Sequence, residues 1–138
     1  MQSSLYPSFN TSFYPELVMS YLSELPNAGT LEVNNKTVYR AQAGSISKTV
    51  KIDLYIKIDN DIIKQVKYLV YGNGYIIAAL GRLSEELIGL KTHQVANYSM
   101  NKLADNLEIP IANRAKLQLI KMCLESIIEQ YKAFNKSN

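Results

Sequence analysis

Two consecutive strand patterns in the middle of the chain constrain its fold more than any other feature. Aliphatic residues occupy every second position over residues 50–58, with polar or phenolic residues between them. A period of two places these sets on opposite faces of a strand. Asp59-Asn60-Asp61 predicts a tight turn, and residues 63–71 predict an antiparallel partner. One sheet face should be buried and the other solvated.

Helical periodicity flanks these strands. Residues 13–25 repeat apolar side chains at three- and four-residue spacing, and Pro26 predicts the end of that helix. A stripe over residues 76–88 predicts a second helix, with Gly89 as its stop. Two more helices are predicted over residues 99–107 and about 113–133. The last helix should present one apolar stripe, formed by Ile120, Cys123, Leu124, Ile127, Ile128 and Tyr131.

The predicted fold is therefore α+β, with a three-stranded antiparallel sheet and helices packed on one face. A shorter pattern at residues 37–41 predicts the first strand. The chain of 138 residues fits one domain over residues 1–138, and the polar stretch 1–12 is expected to be loosely ordered. The core should bring together Ile120, Ile127 and Ile128 of the last helix with Val50, Ile52, Leu54, Ile56 and Ile58 of the central strand.

Charge and cysteine content exclude several functional classes. The net charge is only +3, and the fifteen basic residues include few arginines, so no nucleic-acid surface is predicted. No stretch reaches the ~20 apolar residues of a membrane span, and residues 1–10 do not resemble a signal peptide. We therefore expect a cytoplasmic protein. One cysteine excludes an internal disulfide and an all-thiolate metal site within one chain.

Several motifs in order resemble the NifU/IscU-type iron–sulfur cluster assembly scaffolds, and together they cover about nine-tenths of the chain. The first helix and the turn Leu25-Pro26-Asn27-Ala28-Gly29 are similar to the opening of the family. Tyr71-Gly72-Asn73-Gly74 is similar to its central cysteine turn between a strand and a helix. Leu87-Ile88-Gly89-Leu90-Lys91-Thr92 and Asn113-Arg114-Ala115-Lys116 resemble its later motifs.

The differences from the family concern its chemistry. The resemblance implies an iron–sulfur cluster, iron or zinc held by three cysteines, at positions that correspond here to Gly44 or Ser45, to Asn73, and to Leu117. None of these residues supplies a thiolate, and a neutral amide is a poor replacement. We therefore expect no cofactor and no metal in this chain.

Two other residues could suggest a metal site. Cys123 lies on the predicted apolar face of the last helix, where a buried and inert thiol is expected. His93 is the only histidine, and a surface position is expected for it. The acidic residues are dispersed along the chain. Ser45 and Ser47 have no evident histidine partner that could activate them as nucleophiles. No enzymatic activity is therefore predicted.

The resemblance implies a place in iron–sulfur cluster assembly. The favoured hypothesis is a scaffold-like protein that has lost the three cysteine ligands. It would act as an accessory or regulatory partner, through contacts with the cysteine desulfurase or chaperone of the pathway. The alternative is a non-catalytic binding module that uses the former cluster pocket around Asn73 for a small ligand or another protein.

Overall fold

The computed structural model describes residues 14–136, and a three-stranded antiparallel sheet lies at its centre. The strands are β1 (Val38–Ser45), β2 (Val50–Asp59) and β3 (Ile62–Tyr71), in the order β1-β2-β3. The predicted sheet is confirmed. The loose order expected for residues 1–12 lies outside the described residues.

The register of the sheet places the aliphatic row of β2 in the core. Leu54 pairs with Ala41 on β1 and with Tyr68 on β3, and all three side chains are buried. The predicted core is confirmed, because the five aliphatic residues of β2 and the three isoleucines predicted on the last helix are all buried. The intervening positions of β2 are more exposed, apart from Tyr55, which is buried even though it points to the outer face. The Arg40 guanidinium covers its ring, 5.7 Å from the ring centroid.

Six α-helices lie within the described residues, in addition to a short 3-10 helix at Ile46–Lys48. They are α1 (Glu16–Glu24), α2 (Gly74–Leu87), α3 (Thr92–Ala96), α4 (Met100–Asn106), α5 (Ile111–Arg114) and α6 (Leu117–Lys136). The long helix α6 packs on β1 and β2, whereas α2 packs on β3 and α1. No helix within residues 14–136 is both long and apolar enough to span a membrane.

Two predicted boundaries were wrong, and one helix was not predicted. The first strand continues to Ser45, so Gly44 and Ser45 belong to a paired strand rather than to a turn. The final helix is divided into α5 and α6, because Arg114 donates to the Ile109 carbonyl and pairs with Asp105, which holds α5 as a separate turn near α4. The helix α3 was not predicted, since five residues are too few to show a periodicity.

Tyrosine–carboxylate hydrogen bonds attach neighbouring segments to α2. Tyr21 on α1 donates to Glu85 over 2.5 Å, and Tyr98, between α3 and α4, donates to Glu86. Arg82 pairs with Glu86 at 2.8 Å, which places a cation within the network. Burial, followed by the hydrogen bond to Glu86, raises the pKa of Tyr98 well above its usual range. The network therefore holds these segments in place through protonated phenols.

Candidate functional site

The sheet and the helix starts bring the predicted ligand positions to one end of the molecule. Gly44 on β1 pairs with Lys51, which pairs in turn with Tyr71 at the end of β3. Asn73 follows two residues later and caps α2, while Leu117 is the first residue of α6. A hydrogen bond from Asn73 to Asn113 brings α5, which precedes α6, to the same end. We call this region the ligand end.

The backbone distinguishes between Gly44 and Ser45. Gly44 has a φ of +81°, a left-handed value that strains any residue with a side chain. A Cβ atom at this position would also lie 2.2 Å from the Val50 carbonyl oxygen. Ser45 has extended backbone geometry and a partly exposed side chain, whose Oγ lies 3.1 Å from Ser47 Oγ. Only Ser45 could therefore be replaced by a residue with a ligating side chain.

Asn73, the residue at the predicted central ligand position, has a structural role. Its Oδ1 accepts a hydrogen bond from the Ile76 N–H over 3.1 Å, which caps α2. Asparagine is among the preferred residues at this position because its side chain satisfies a free N–H of the first turn. Its Nδ2 donates to Asn113 Oδ1 over 3.2 Å. Both ends of the amide therefore have partners within the chain.

Tyr14 also occupies the ligand end. The Gly74 N–H donates to its hydroxyl over 3.1 Å, and its ring lies edge-on to Tyr75 at 4.8 Å between centroids. A Cβ atom at Gly74 would lie 2.6 Å from the Tyr14 ring, so the close contact depends on a glycine. The first N–H of α2, which a ligand could otherwise bind, is therefore already paired with a phenol.

Leu117 and Cys123 are the two remaining candidate ligand residues on α6. Both are buried in the core, and Leu117 has no donor atom. Burial, with a smaller contribution from the Asp53 charge, raises the pKa of the Cys123 thiol to about 12. Since the thiolate is the form that binds metals, this shift disfavours metal binding by Cys123 at neutral pH.

No cluster of three or more histidine, cysteine, aspartate or glutamate side chains in residues 14–136 has the geometry of a metal site. His93 is exposed on α3, as expected of a surface histidine. An amide that is already hydrogen bonded, an aliphatic side chain and a serine do not fit a cluster or a zinc ion, which need thiolate or imidazole donors. The residues at the predicted ligand positions therefore offer no thiolate or imidazole donor.

Comparison with known proteins decides the family. The sequence profile of the NifU-like N terminal domain matches residues 13–138. The chain belongs to this family. The predicted resemblance to NifU/IscU-type scaffolds is thereby confirmed, and the single cysteine is consistent with a degenerate member.

Individual relatives agree with this assignment. The chain is 27% identical over 97 residues to the iron–sulfur cluster assembly protein IscU of Plasmodium falciparum, covering 70% of this chain but only 60% of that relative. It is 26% identical over 121 residues to the iron–sulfur cluster assembly scaffold protein IscU of Haemophilus influenzae, covering 87% of this chain and 96% of the relative.

Solved structures support the fold. A protein described as a candidate iron–sulfur cluster assembly scaffold for the SUF system, from Fervidobacterium islandicum AW-1, has a TM-score of 0.56 at 20% identity; the match covers 90% of this chain and 92% of that one. A NifU-like N-terminal protein from Brucella abortus has a TM-score of 0.54 at 13% identity, covering 90% and 88% respectively. At these identities the likeness concerns the fold alone.

Sequence reasoning missed two residues of the ligand end. Asn113 was noted as part of a motif but not as the partner of Asn73, and Tyr14 was noted only as part of the first helical pattern. Asn113 lies 40 positions from its partner, so no local pattern could reveal the contact. The signal available was indirect: asparagine between two glycines, before an apolar stripe, is typical of a helix cap.

Proposed function

We propose that this chain is an accessory or regulatory partner in iron–sulfur cluster assembly, a non-catalytic scaffold-like protein of the cytoplasm that binds other proteins of the pathway without holding the cluster. The hydrogen-bonded amide of Asn73 carries this proposal. It replaces the central ligand of the family by a helix cap, so the fold is kept while the donor is lost.

Exposed aliphatic residues at the ligand end support a role in protein contacts. Ile46, in the turn after β1, is 60% exposed, and Ile111, at the start of α5, is 85% exposed. Ile46 directly follows Ser45, and Ile111 lies two residues before the Asn113 that binds Asn73. Burying either side chain in a complex would remove apolar surface from water. This stabilises the complex by about 25 cal/mol per Å² of apolar surface buried. We propose that these isoleucines contact the partner, and the family implies a cysteine desulfurase or a chaperone.

Binding to a cysteine desulfurase from the same organism tests the proposal. We expect a complex in a pull-down and in titration calorimetry, weakened about tenfold or more by Ile46→Asp or Ile111→Asp, because each places a charge in an apolar contact. Met122→Asp, which alters an exposed residue of α6, serves as the matched control and should bind like the unmodified chain. Failure to bind the desulfurase and the pathway chaperone would contradict the proposal.

The alternative, a binding module for a small ligand around Asn73, has weaker support. Asn73 and the first N–H of α2 are already engaged by Asn113, Ile76 and Tyr14. Two surface grooves, of ≈ 380 and ≈ 290 Å³, lie elsewhere, between α3 and α6 and around Tyr98. A ligand at Asn73 would therefore have to displace hydrogen bonds that the chain makes with itself.

A further inference from the structure

The face of the sheet that points away from the helices has an unusual charge balance. We call it the outer face, and its members alternate with the buried rows of the three strands. They are Val38, Arg40, Gln42, Gly44, Lys51, Asp53, Tyr55, Lys57, Asp59, Ile62, Gln65, Lys67, Leu69 and Tyr71. Four of them are cations (Arg40, Lys51, Lys57, Lys67) and two are anions (Asp53, Asp59), whereas the whole chain has fifteen basic and twelve acidic residues. The positive excess of the protein is thus concentrated on this surface.

The two carboxylates of the outer face, Asp53 and Asp59, leave part of this positive charge available. Asp53 pairs with Arg40, with 3.4 Å between the nearest nitrogen and oxygen. Lys51, Lys57 and Lys67 form no ion pair with a carboxylate of the described residues. Lys57 and Lys67 lie at diagonal positions on neighbouring strands, so their ammonium groups repel each other, and a partner of opposite charge would relieve that repulsion.

Apolar side chains lie among these lysines. Leu69 and Tyr71, both on β3, are 45% and 54% exposed. The register places Leu69 opposite Asp53 and Tyr71 opposite Lys51, with Lys67 two positions before Leu69 on the same face. An exposed aliphatic and aromatic pair bordered by charge is typical of a protein contact surface.

We propose that the outer face binds an acidic segment of a protein partner, whose apolar side chains contact Leu69 and Tyr71 while its carboxylates pair with Lys51, Lys57 and Lys67. A protein partner fits better than a nucleic acid. Single-stranded nucleic acids bind through several exposed aromatic rings and arginines. Here Tyr55 is buried beneath Arg40, which is itself paired with Asp53, so Tyr71 is the one exposed ring of this face.

This inference does not depend on the proposed role in cluster assembly, since it rests on the lysines, Leu69 and Tyr71 of the outer face and not on Ile46 or Ile111, although the outer face adjoins the ligand end at Gly44, Lys51 and Tyr71. The experiment is fluorescence anisotropy on the full chain with three labelled probes. The first is a synthetic peptide with glutamates and with leucine and phenylalanine at helical spacing. The second is the same peptide with glutamine for every glutamate, and the third is oligothymidylate.

We expect the acidic peptide to bind, and the affinity to fall as salt screens the lysines. Lys51→Glu with Lys67→Glu should weaken binding about tenfold or more, and Leu69→Ser should weaken it without changing its salt dependence. The matched control is Lys102→Glu with Lys132→Glu, the same charge change at exposed positions on α4 and α6, which should bind within about twofold of the unmodified chain. Chemical-shift changes should be largest at the amides of β2 and β3.

Three results would overturn the proposal. The acidic peptide could fail to bind, or both lysine pairs could weaken binding equally, which would indicate attraction to net charge alone. Binding of oligothymidylate in preference to the peptide would assign the surface to nucleic acid instead. The four substituted lysines, those of the test pair and of the control pair, are all at least partly exposed. Both double variants should therefore keep the melting temperature within a few degrees of the unmodified chain, which circular dichroism can check.

Discussion

The side-chain amide of Asn73 joins the first turn of α2 to α5, through one hydrogen bond to the Ile76 N–H and one to Asn113 Oδ1. The two contacts are coupled. Since the oxygen of the amide faces the helix N–H, the nitrogen must face Asn113, and this orientation requires Asn113 to present its oxygen. One residue thus combines a helix cap with a contact between distant segments.

Replacing Asn73 should reveal both contributions. We expect Asn73→Ala to lower the free energy of unfolding by about 1–2 kcal/mol, because the cap and the bond to Asn113 are lost together. Asn113→Ala should lower the free energy of unfolding by a smaller amount, since Asn73 still caps α2. Urea unfolding measures both, with Asn101→Ala, an exposed position on α4, as a control expected within about 0.5 kcal/mol of the unmodified chain. An Asn73→Ala variant of unchanged stability would show that neither contact matters.

The purified protein should not assemble a stable [2Fe–2S] cluster. Cys123 is buried, and with its pKa raised to about 12 it supplies almost no thiolate at neutral pH. Anaerobic reconstitution with iron and sulfide, followed by desalting and iron and sulfide assays, should therefore give no more cluster than Cys123→Ser. A stoichiometric cluster that survives desalting and disappears in the serine variant would make Cys123 a ligand.

Restoring thiols at the ligand end should restore metal binding. We expect the triple variant Ser45→Cys, Asn73→Cys, Leu117→Cys to bind about one zinc ion per chain, since three thiolates and a water complete a tetrahedral site. Competition with a chromophoric chelator measures the affinity. Zinc should also raise the melting temperature, because the metal binds only the folded arrangement.

A matched triple variant tests the assignment of the first position. Gly44→Cys, used in place of Ser45→Cys, should unfold more easily and bind zinc poorly, because its Cβ would collide with the Val50 carbonyl. Equal zinc affinity of the two triple variants would contradict this assignment. No zinc binding by either would contradict the view that the three positions still face one another.

Stability should decline at high pH in a manner that depends on Tyr98. Burial and the bond to Glu86 raise the pKa of Tyr98 in the folded state, so its contribution is complete below the usual phenol pKa of about 10 and is lost as the pH rises further. Tyr98→Phe should lower the free energy of unfolding by about 1 kcal/mol at neutral pH. Above pH 10, the stability of this variant should fall less steeply than that of the unmodified chain. Urea unfolding at several pH values measures this dependence, with Asn101→Ala as the control variant. Parallel declines in both variants would exclude a role for Tyr98.

The local patterns of the sequence were sufficient for the sheet. The strict alternation over residues 50–58 leaves one register that buries every aliphatic side chain, because a slip of one residue would expose all of them. The lack of three thiolate ligands was equally visible, since the chain has one cysteine. These properties depend on residue type and short-range spacing, which a sequence states directly.

The tertiary structure decided how the ligand end is built. The partner of Asn73 lies on a helical turn that the sequence pattern merged with α6, and the exclusion of Gly44 rests on a backbone angle and on the Val50 carbonyl across the hairpin. The concentration of positive charge on the outer face likewise follows from the pairing of three strands. Such contacts join residues that are distant along the chain, so packing determines them and local periodicity does not.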